Sequence, residues 1–210
     1  MRKRRILLIC CGFGFLVTIH FGWKLTARSA YESAEYIVVE SDDSIEIREY
    51  PDLMLVTTSM QYQSRGDDGS FMRLFRYIAG ANEQDQKVAM TTPVFMEREH
   101  GSKQGQMGFV IPKQVSDDGI PVPSGEAVQI QKRMAGKFAV IRFPGRIDEQ
   151  TVQAKRIELR NWMVERGLSG DGPAEVAGYD PPWTPRPLRR NELLIRLSDR
   201  DQPQEILQNQ

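Results

Sequence analysis

The residues with the most chemistry to offer lie late in the chain. Glu192 follows Arg189 and Arg190, and Tyr179 opens the run Tyr-Asp-Pro-Pro-Trp-Thr-Pro that ends at Pro185. A glutamate in an apolar pocket has a raised pKa and can act as a general acid or base. Glu192 with Tyr179 is therefore a hydrolase candidate. The competing reading is a buried carboxylate paired to one of the two arginines. Prolines 181, 182 and 185 stiffen the run, and Gly178 lets the chain turn into it. Tyr179 and Trp183 can bury their rings and still donate a hydrogen bond, so the run either lines a pocket or lids the fold. No Ser-His-Asp set, metal-ligand spacing or phosphate loop occurs. Cys10 and Cys11 are the only cysteines, so the rest of the chain has no disulfide, thiolate nucleophile or cysteine metal site. After residue 20 the one histidine is His100, in the polar stretch Glu99-His100-Gly101.

A second candidate is apolar. Phe71, Leu74, Phe75 and Ile78 recur at helical spacing. Ser70 is placed to cap this helix, predicted over residues 71–79, and Gly80 and Asn82 to stop it. Met72 and Ala79 widen its apolar arc beyond what so short a helix needs for its own burial. Met72, Phe75 and Ala79 are thus free to face an apolar ligand, unless the whole arc is core. Arg73 and Arg76 fall on the polar side.

The elements that must hold these residues are legible from period. Residues 36–39, 45–50 and 53–60 read as strands, the second half-buried, with Ile45 and Ile47 alternating against Glu46 and Arg48. Residues 61–70 form a polar loop. Residues 88–96 return to strand period, with Pro93 marking an edge or a bulge. A strand over 107–111 follows a polar hairpin loop. Residues 113–126, with Pro121 and Pro123, read as a long loop dividing the fold. The order then repeats: strands from Val128 and over 137–143, a helix over 147–167 with Val152, Leu159 and Met163 on one stripe and Trp162 at its border, and strands over 175–178 and 192–197. Ile47 and Ile130 stand 83 positions apart, as do Leu74 and Ile157, and Val56 and Val140 stand 84 apart. Two strand-strand-helix-strand-strand units predict an α+β domain with an antiparallel sheet of about eight strands, curled toward a barrel, and two helices.

Four segments carry a family resemblance: Ile45-Glu-Ile-Arg-Glu-Tyr-Pro51; Tyr77-Ile-Ala-Gly-Ala-Asn82 with Lys87-Val-Ala-Met-Thr-Thr-Pro-Val94; Gly178-Tyr-Asp-Pro-Pro-Trp-Thr-Pro185; and Arg189-Arg-Asn-Glu192. In this order they resemble the SOUL heme-binding protein family over residues 36–197. The resemblance implies a distorted barrel flanked by two helices, and heme or a related tetrapyrrole as ligand. With no cysteine available and His100 in a polar loop, the expected mode is burial of the rings in an apolar groove with weak or absent axial ligation. The groove would be walled by Met72, Phe75 and Ala79, with Trp183 nearby. Some family members carry a lysine after Tyr-Asp-Pro-Pro-x; this chain has Thr184 there, and Arg186 is the expected substitute for pairing with the heme carboxylates. The function implied is reversible binding by a non-enzymatic carrier or buffer. The alternatives are a hydrophobic-ligand or protein-interaction module without heme, and a small hydrolase using Glu192. The wider fold group includes effector-binding domains and hydrolases that use a pocket glutamate.

The chain opens with Arg2, Lys3, Arg4 and Arg5, then the 18-residue apolar run from Ile6 to Trp23. Residues 1–23 are expected to be a membrane anchor or signal segment, with the body on the outer side of the cytoplasmic membrane. Cleavage near Ala27-Arg28-Ser29 would instead release a secreted or periplasmic body. Cys10 and Cys11 would be lipid-facing or palmitoylated. Residues 24–35 are expected to be a linker and 198–210 a disordered tail. The first 31 residues hold six bases and no acid, leaving 22 basic against 28 acidic residues in the remainder. A net-acidic body without a basic stripe argues against nucleic acid as a partner. The expected partners are heme, or another apolar anionic small molecule, and the membrane through the N-terminal helix.

Overall fold

In the computed structural model the residues described are 31–61, 68–97, 104–170, 172–181 and 183–198. The apolar run 6–23, His100 and the tail beyond Ser198 lie outside them. No helix among the described residues is long and apolar enough to cross a membrane.

Among the described residues eleven strands and three α-helices follow in order. The first half holds β1 (Glu32–Ser33), β2 (Ile37–Asp42), β3 (Ile45–Tyr50), β4 (Leu53–Ser59), α1 (Ser70–Ile78), β5 (Thr91–Thr92), β6 (Val94–Glu97) and β7 (Gln106–Val110). Then come α2 (Lys113–Asp118), β8 (Gln129–Arg133), β9 (Gly136–Phe143), α3 (Glu149–Glu165), β10 (Glu175–Gly178) and β11 (Asn191–Arg196). Nine strands form one sheet in the order β2-β3-β9-β11-β10-β6-β7-β4-β8, every pairing antiparallel. The sheet curls but its outer strands β2 and β8 do not pair, so it is a half-barrel.

The repeat is visible in this order. Exchanging β3, β4, β6 and β7 for β8, β9, β10 and β11 reverses the eight strands other than β2 onto themselves. The register agrees: Ile47 pairs with Ala139, and Val56 pairs with Ile130. An offset of 83 maps one pair onto the other, so Val56 corresponds to Ala139, and the sequence estimate of 84 for that strand is one position long. α1 and α3 lie on the same face of the sheet. α1 covers Val56, Met107 and Phe109, and α3 covers Ile45, Ile141, Val176 and Leu193.

Local chemistry sets the helix ends. Asp68 accepts the Ser70 N–H at 3.0 Å, so the carboxylate, not Ser70, serves the first turn. α1 closes at Gly80, whose φ of 113° suits glycine. Asn82 contributes through its side chain: it donates to the Tyr77 and Gln86 carbonyls and accepts from the Gln84 and Gln86 N–H groups. In α3, Asp148 accepts the Thr151 N–H at 2.9 Å, and Val152, Leu159, Trp162 and Met163 are buried.

Four expectations need correction. The strand expected over 88–96 is split at Pro93, and β6 is not an edge: it pairs with β7 on one side and β10 on the other. Pro93 sits in the gap between β5 and β6, where its missing donor breaks no ladder. The loop over 113–126 contains α2. The linker ends early, because β1 pairs in parallel with β5 and Ala34 N–H donates to Thr92 C=O at 2.8 Å. Finally, β3 is not half-buried: Glu46 and Arg48 are covered as well as Ile45 and Ile47.

Candidate functional site

α1 presents two kinds of surface. Leu74, Tyr77 and Ile78 are buried, and burial pushes the Tyr77 hydroxyl up to about 12. On the opposite side Met72 is 48% exposed and Phe75 42% exposed, with Ala79 also exposed. Phe71, half-buried, stacks on Phe75 with centroids 6.1 Å apart and extends this apolar stripe. The three residues expected to face a ligand therefore share one solvent-facing surface. Arg76 shares it too, four positions from Met72 and three from Ala79. It is exposed and makes no ion pair among the described residues. Arg73 is spent on the fold: it donates to Thr58 Oγ1 and to the Asp68 and Ser59 carbonyls. Lys87 is exposed and its side chain lies beside Gly80, just past the helix end.

Trp183 and Arg186 stand elsewhere, on the loop between β10 and β11. Trp183 is 65% exposed. The Arg186 carbonyl accepts from Gly145 N–H at 3.0 Å, tying the loop to the turn after β9. Among the described residues no hydrogen bond or ring contact links either side chain to α1. Thr184, at the position where the resemblance implies a lysine, is buried, and its Oγ1 has no partner among the described residues.

The most strongly determined constellation lies on the face of the sheet away from the helices. Arg48 and Glu192 are both fully buried. Arg48 donates to the two Glu192 oxygens at 2.7 and 3.0 Å and to Glu46 at 2.7 Å. Arg190 donates to Glu192 at 2.6 and 2.8 Å, and the Tyr179 hydroxyl donates at 2.8 Å. The residue 31–36 segment crosses above: the Tyr36 ring lies 4.2 Å from the Arg48 guanidinium, and the Tyr36 hydroxyl accepts from Arg190 at 3.2 Å. Burial alone would raise the Glu192 pKa, but the hydrogen bonds and charge of Arg48, with the charge of Arg190, outweigh it and hold the carboxyl below its ordinary value. Burial and the charge of Glu192 push the Tyr179 hydroxyl far above its own. Glu192 is thus an ionised, fully paired carboxylate. The raised pKa on which the hydrolase alternative depends is absent, because two guanidiniums surround it. Among the described residues no group of three or more His, Cys, Asp or Glu is placed to hold a metal ion.

The sequence profile described as SOUL heme-binding protein matches residues 31–196. The chain belongs to the SOUL heme-binding protein family. It is similar to heme-binding protein 1 of Xenopus tropicalis, 27% identical over 157 residues, spanning 71% of this chain and 82% of that protein. Heme-binding protein 2 of Mus musculus is 31% identical over 149 residues, or 67% and 72% of the two chains. Among solved structures the C-terminal domain of EcmrR superimposes with a TM-score of 0.52 at 12% identity, covering 73% of this chain and 96% of that one. A hydrolase from Listeria innocua gives 0.51 at 10% identity, covering 76% and 94%. At such identities the structural likeness is one of fold alone.

Three of the four SOUL segments converge in space. The segment ending at Pro51 supplies Arg48 and Tyr50, the proline-rich segment supplies Tyr179, and the last supplies Arg190 and Glu192. The segment from Tyr77 supplies Asn82 and its turn. Most of what the family pattern encodes here is thus the charge network and the end of α1. Sequence reasoning missed two residues. Arg48 looked solvent-facing because its partner is 144 positions away. Arg76 was assigned to the polar face, although its spacing from Met72 already placed it beside the apolar stripe.

Proposed function

We propose that the chain binds heme, or another apolar tetrapyrrole with anionic side groups, on the exposed face of α1, reversibly and without covalent chemistry, as a carrier or buffer. Membership of the SOUL family supports the ligand class. The observation that carries the placement is the exposed stripe of Met72 and Phe75, two large apolar side chains half in water on a helix whose other side is core. In this reading Met72, Phe75 and Ala79 cover one ring face, and Arg76 meets a carboxylate, with Lys87 within reach of a second. A guanidinium suits this role because its planar fork matches a carboxylate. Bound heme would supply iron-centred chemistry; the chain's own part is to bury the ring and to neutralise its charge. Trp183 and Arg186 fall outside this site. We further propose that residues 6–23 tether the body to the outer side of a membrane.

The test is a hemin titration of the full-length chain followed in the Soret region, with Phe75→Ala and Arg76→Glu. Saturable one-to-one binding weakened by both supports the placement. Binding unchanged by both sinks it. A second reading, a protein-interaction module, draws on β2, an edge strand exposed throughout with Ile37 69%, Val38 45% and Val39 52% exposed. Its unpaired backbone edge is a template for a partner strand.

A further inference from the structure

The half-barrel has a second end. Applying the offset of 83 on the face away from the helices, Arg48 corresponds to Gln131 and Tyr50 to Arg133. Ser59 likewise corresponds to Arg142, and Gln106 faces Ser59 as Glu192 faces Arg142. The counterpart of the Arg48–Glu192 ion pair is therefore the pair Gln131 and Gln106. At the first end the charged pair closes on itself and residues 31–36 cover it. At the second end both glutamines line a cavity of about 170 Å³, together with Leu55, Phe95, Glu97 and Arg133. Neither glutamine side chain has a hydrogen-bond partner among the described residues. Arg133, 8% exposed, is fixed by Glu175 at 2.8 and 3.0 Å and by the Phe95 and Phe138 rings, yet its Nη1 is buried with no acceptor among the described residues.

We infer that this cavity is a binding site for a small, uncharged, planar molecule with an amide-type edge, one donor beside one acceptor. Three features select that chemistry. Side-chain amides pair with such an edge through a donor and an acceptor at once. Arg133 is paired with Glu175 and Lys132 with Asp52, and Glu97 is engaged as well, so neither an anion nor a cation finds an uncommitted counter-charge. Leu55 and Phe95 offer an apolar floor, and a cavity of about 150 Å³ already accepts a benzene ring. A ligand carbonyl would also supply the acceptor that Arg133 Nη1 lacks. The site lies on the opposite face from α1, so it stands or falls separately from the heme reading.

Three molecules of one shape separate the possibilities: benzamide, benzoate and benzamidine, which present a neutral, an anionic and a cationic head on the same ring. Each is titrated against the full-length chain by ligand-observed NMR, with Gln106→Ala and Gln131→Ala alongside. The expected result is saturable benzamide binding, in about the millimolar range typical of so few atoms, with benzoate and benzamidine at least about tenfold weaker, a difference of about 1.4 kcal/mol. Either alanine variant should weaken benzamide binding by a similar factor while circular dichroism and hemin binding stay as in the parent chain. Equal binding of all three heads, benzamide binding that survives both substitutions, or no saturable benzamide binding would each overturn the assignment.

Discussion

Replacing Glu192 with glutamine tests what the buried charge network does. The side chain keeps its shape and loses its charge. In the parent chain the carboxylate accepts five hydrogen bonds, from Arg48 at 2.7 and 3.0 Å, Arg190 at 2.6 and 2.8 Å and Tyr179 at 2.8 Å. Glutamine offers one acceptor oxygen, and its NH₂ faces donors. Arg48 is fully buried and keeps only Glu46 as a counter-charge. Removing one member of a buried pair typically destabilises by about 3–5 kcal/mol, because the remaining charge is left uncompensated. That is a large part of the roughly 5–15 kcal/mol available to a domain. The expected fall in melting temperature is on the order of 10 °C. Denaturant unfolding of the parent chain, Glu192→Gln and Lys155→Met supplies the comparison. Lys155 pairs with Glu158 on the surface of α3, where such a pair contributes about 0.3–0.5 kcal/mol. A loss below about 1 kcal/mol for Glu192→Gln, no larger than the surface control can explain, would refute the argument.

Three further outcomes follow from the same geometry. The Glu192 pKa is depressed in the folded state, so its contribution is fully present above the unfolded carboxyl value of about 4.3 and is lost as pH falls below that; acid titration should show a drop there that Glu192→Gln flattens, and parallel curves would contradict it. Gly170→Ala should destabilise by about 1–3 kcal/mol through overpacking, since an added Cβ would lie 2.5 Å from Ile195 Cγ2 and 3.0 Å from the Arg196 carbonyl oxygen; unfolding midpoints unchanged from the parent would show that the β11 side yields. Asn82→Ala removes a side chain that is 4% exposed and joins four hydrogen bonds, so about 1–3 kcal/mol should be lost, with faster amide exchange at Gln84 and Gln86; unchanged protection there would count against its role.

Much of the fold was legible because its signals are local. Alternation located most strands, apolar spacing located α1 and α3, and the repeat offset was within one residue of the register. What escaped depends on contacts far apart in sequence. The alternation in β3 implied one wet face, yet Glu46 and Arg48 are buried because Glu192, 144 positions away, and the segment 31–36 cover them. Pro93 marks an edge or a bulge by sequence, but a proline between two short strands is equally compatible with an interior position. The apolar stripe of α1 was visible from the width of its arc. The distance between that stripe and Trp183 or Arg186 was not, since the path of a proline-rich loop is set by its ties to Gly145 and Asp180. Glu192 stood out in sequence, but its chemistry reversed once Arg48 was added to its neighbours.

The central claim is that the exposed face of α1 takes up heme. The most direct measurement is the hemin titration of the full-length chain with Phe75→Ala and Arg76→Glu, with Arg186→Glu as the comparison. The account predicts saturable one-to-one binding, weakened at least about tenfold, or about 1.4 kcal/mol, by each α1 substitution and unmoved by Arg186→Glu. Binding that depends on Arg186 and is indifferent to Phe75 and Arg76 would contradict it and move the site to the β10–β11 loop.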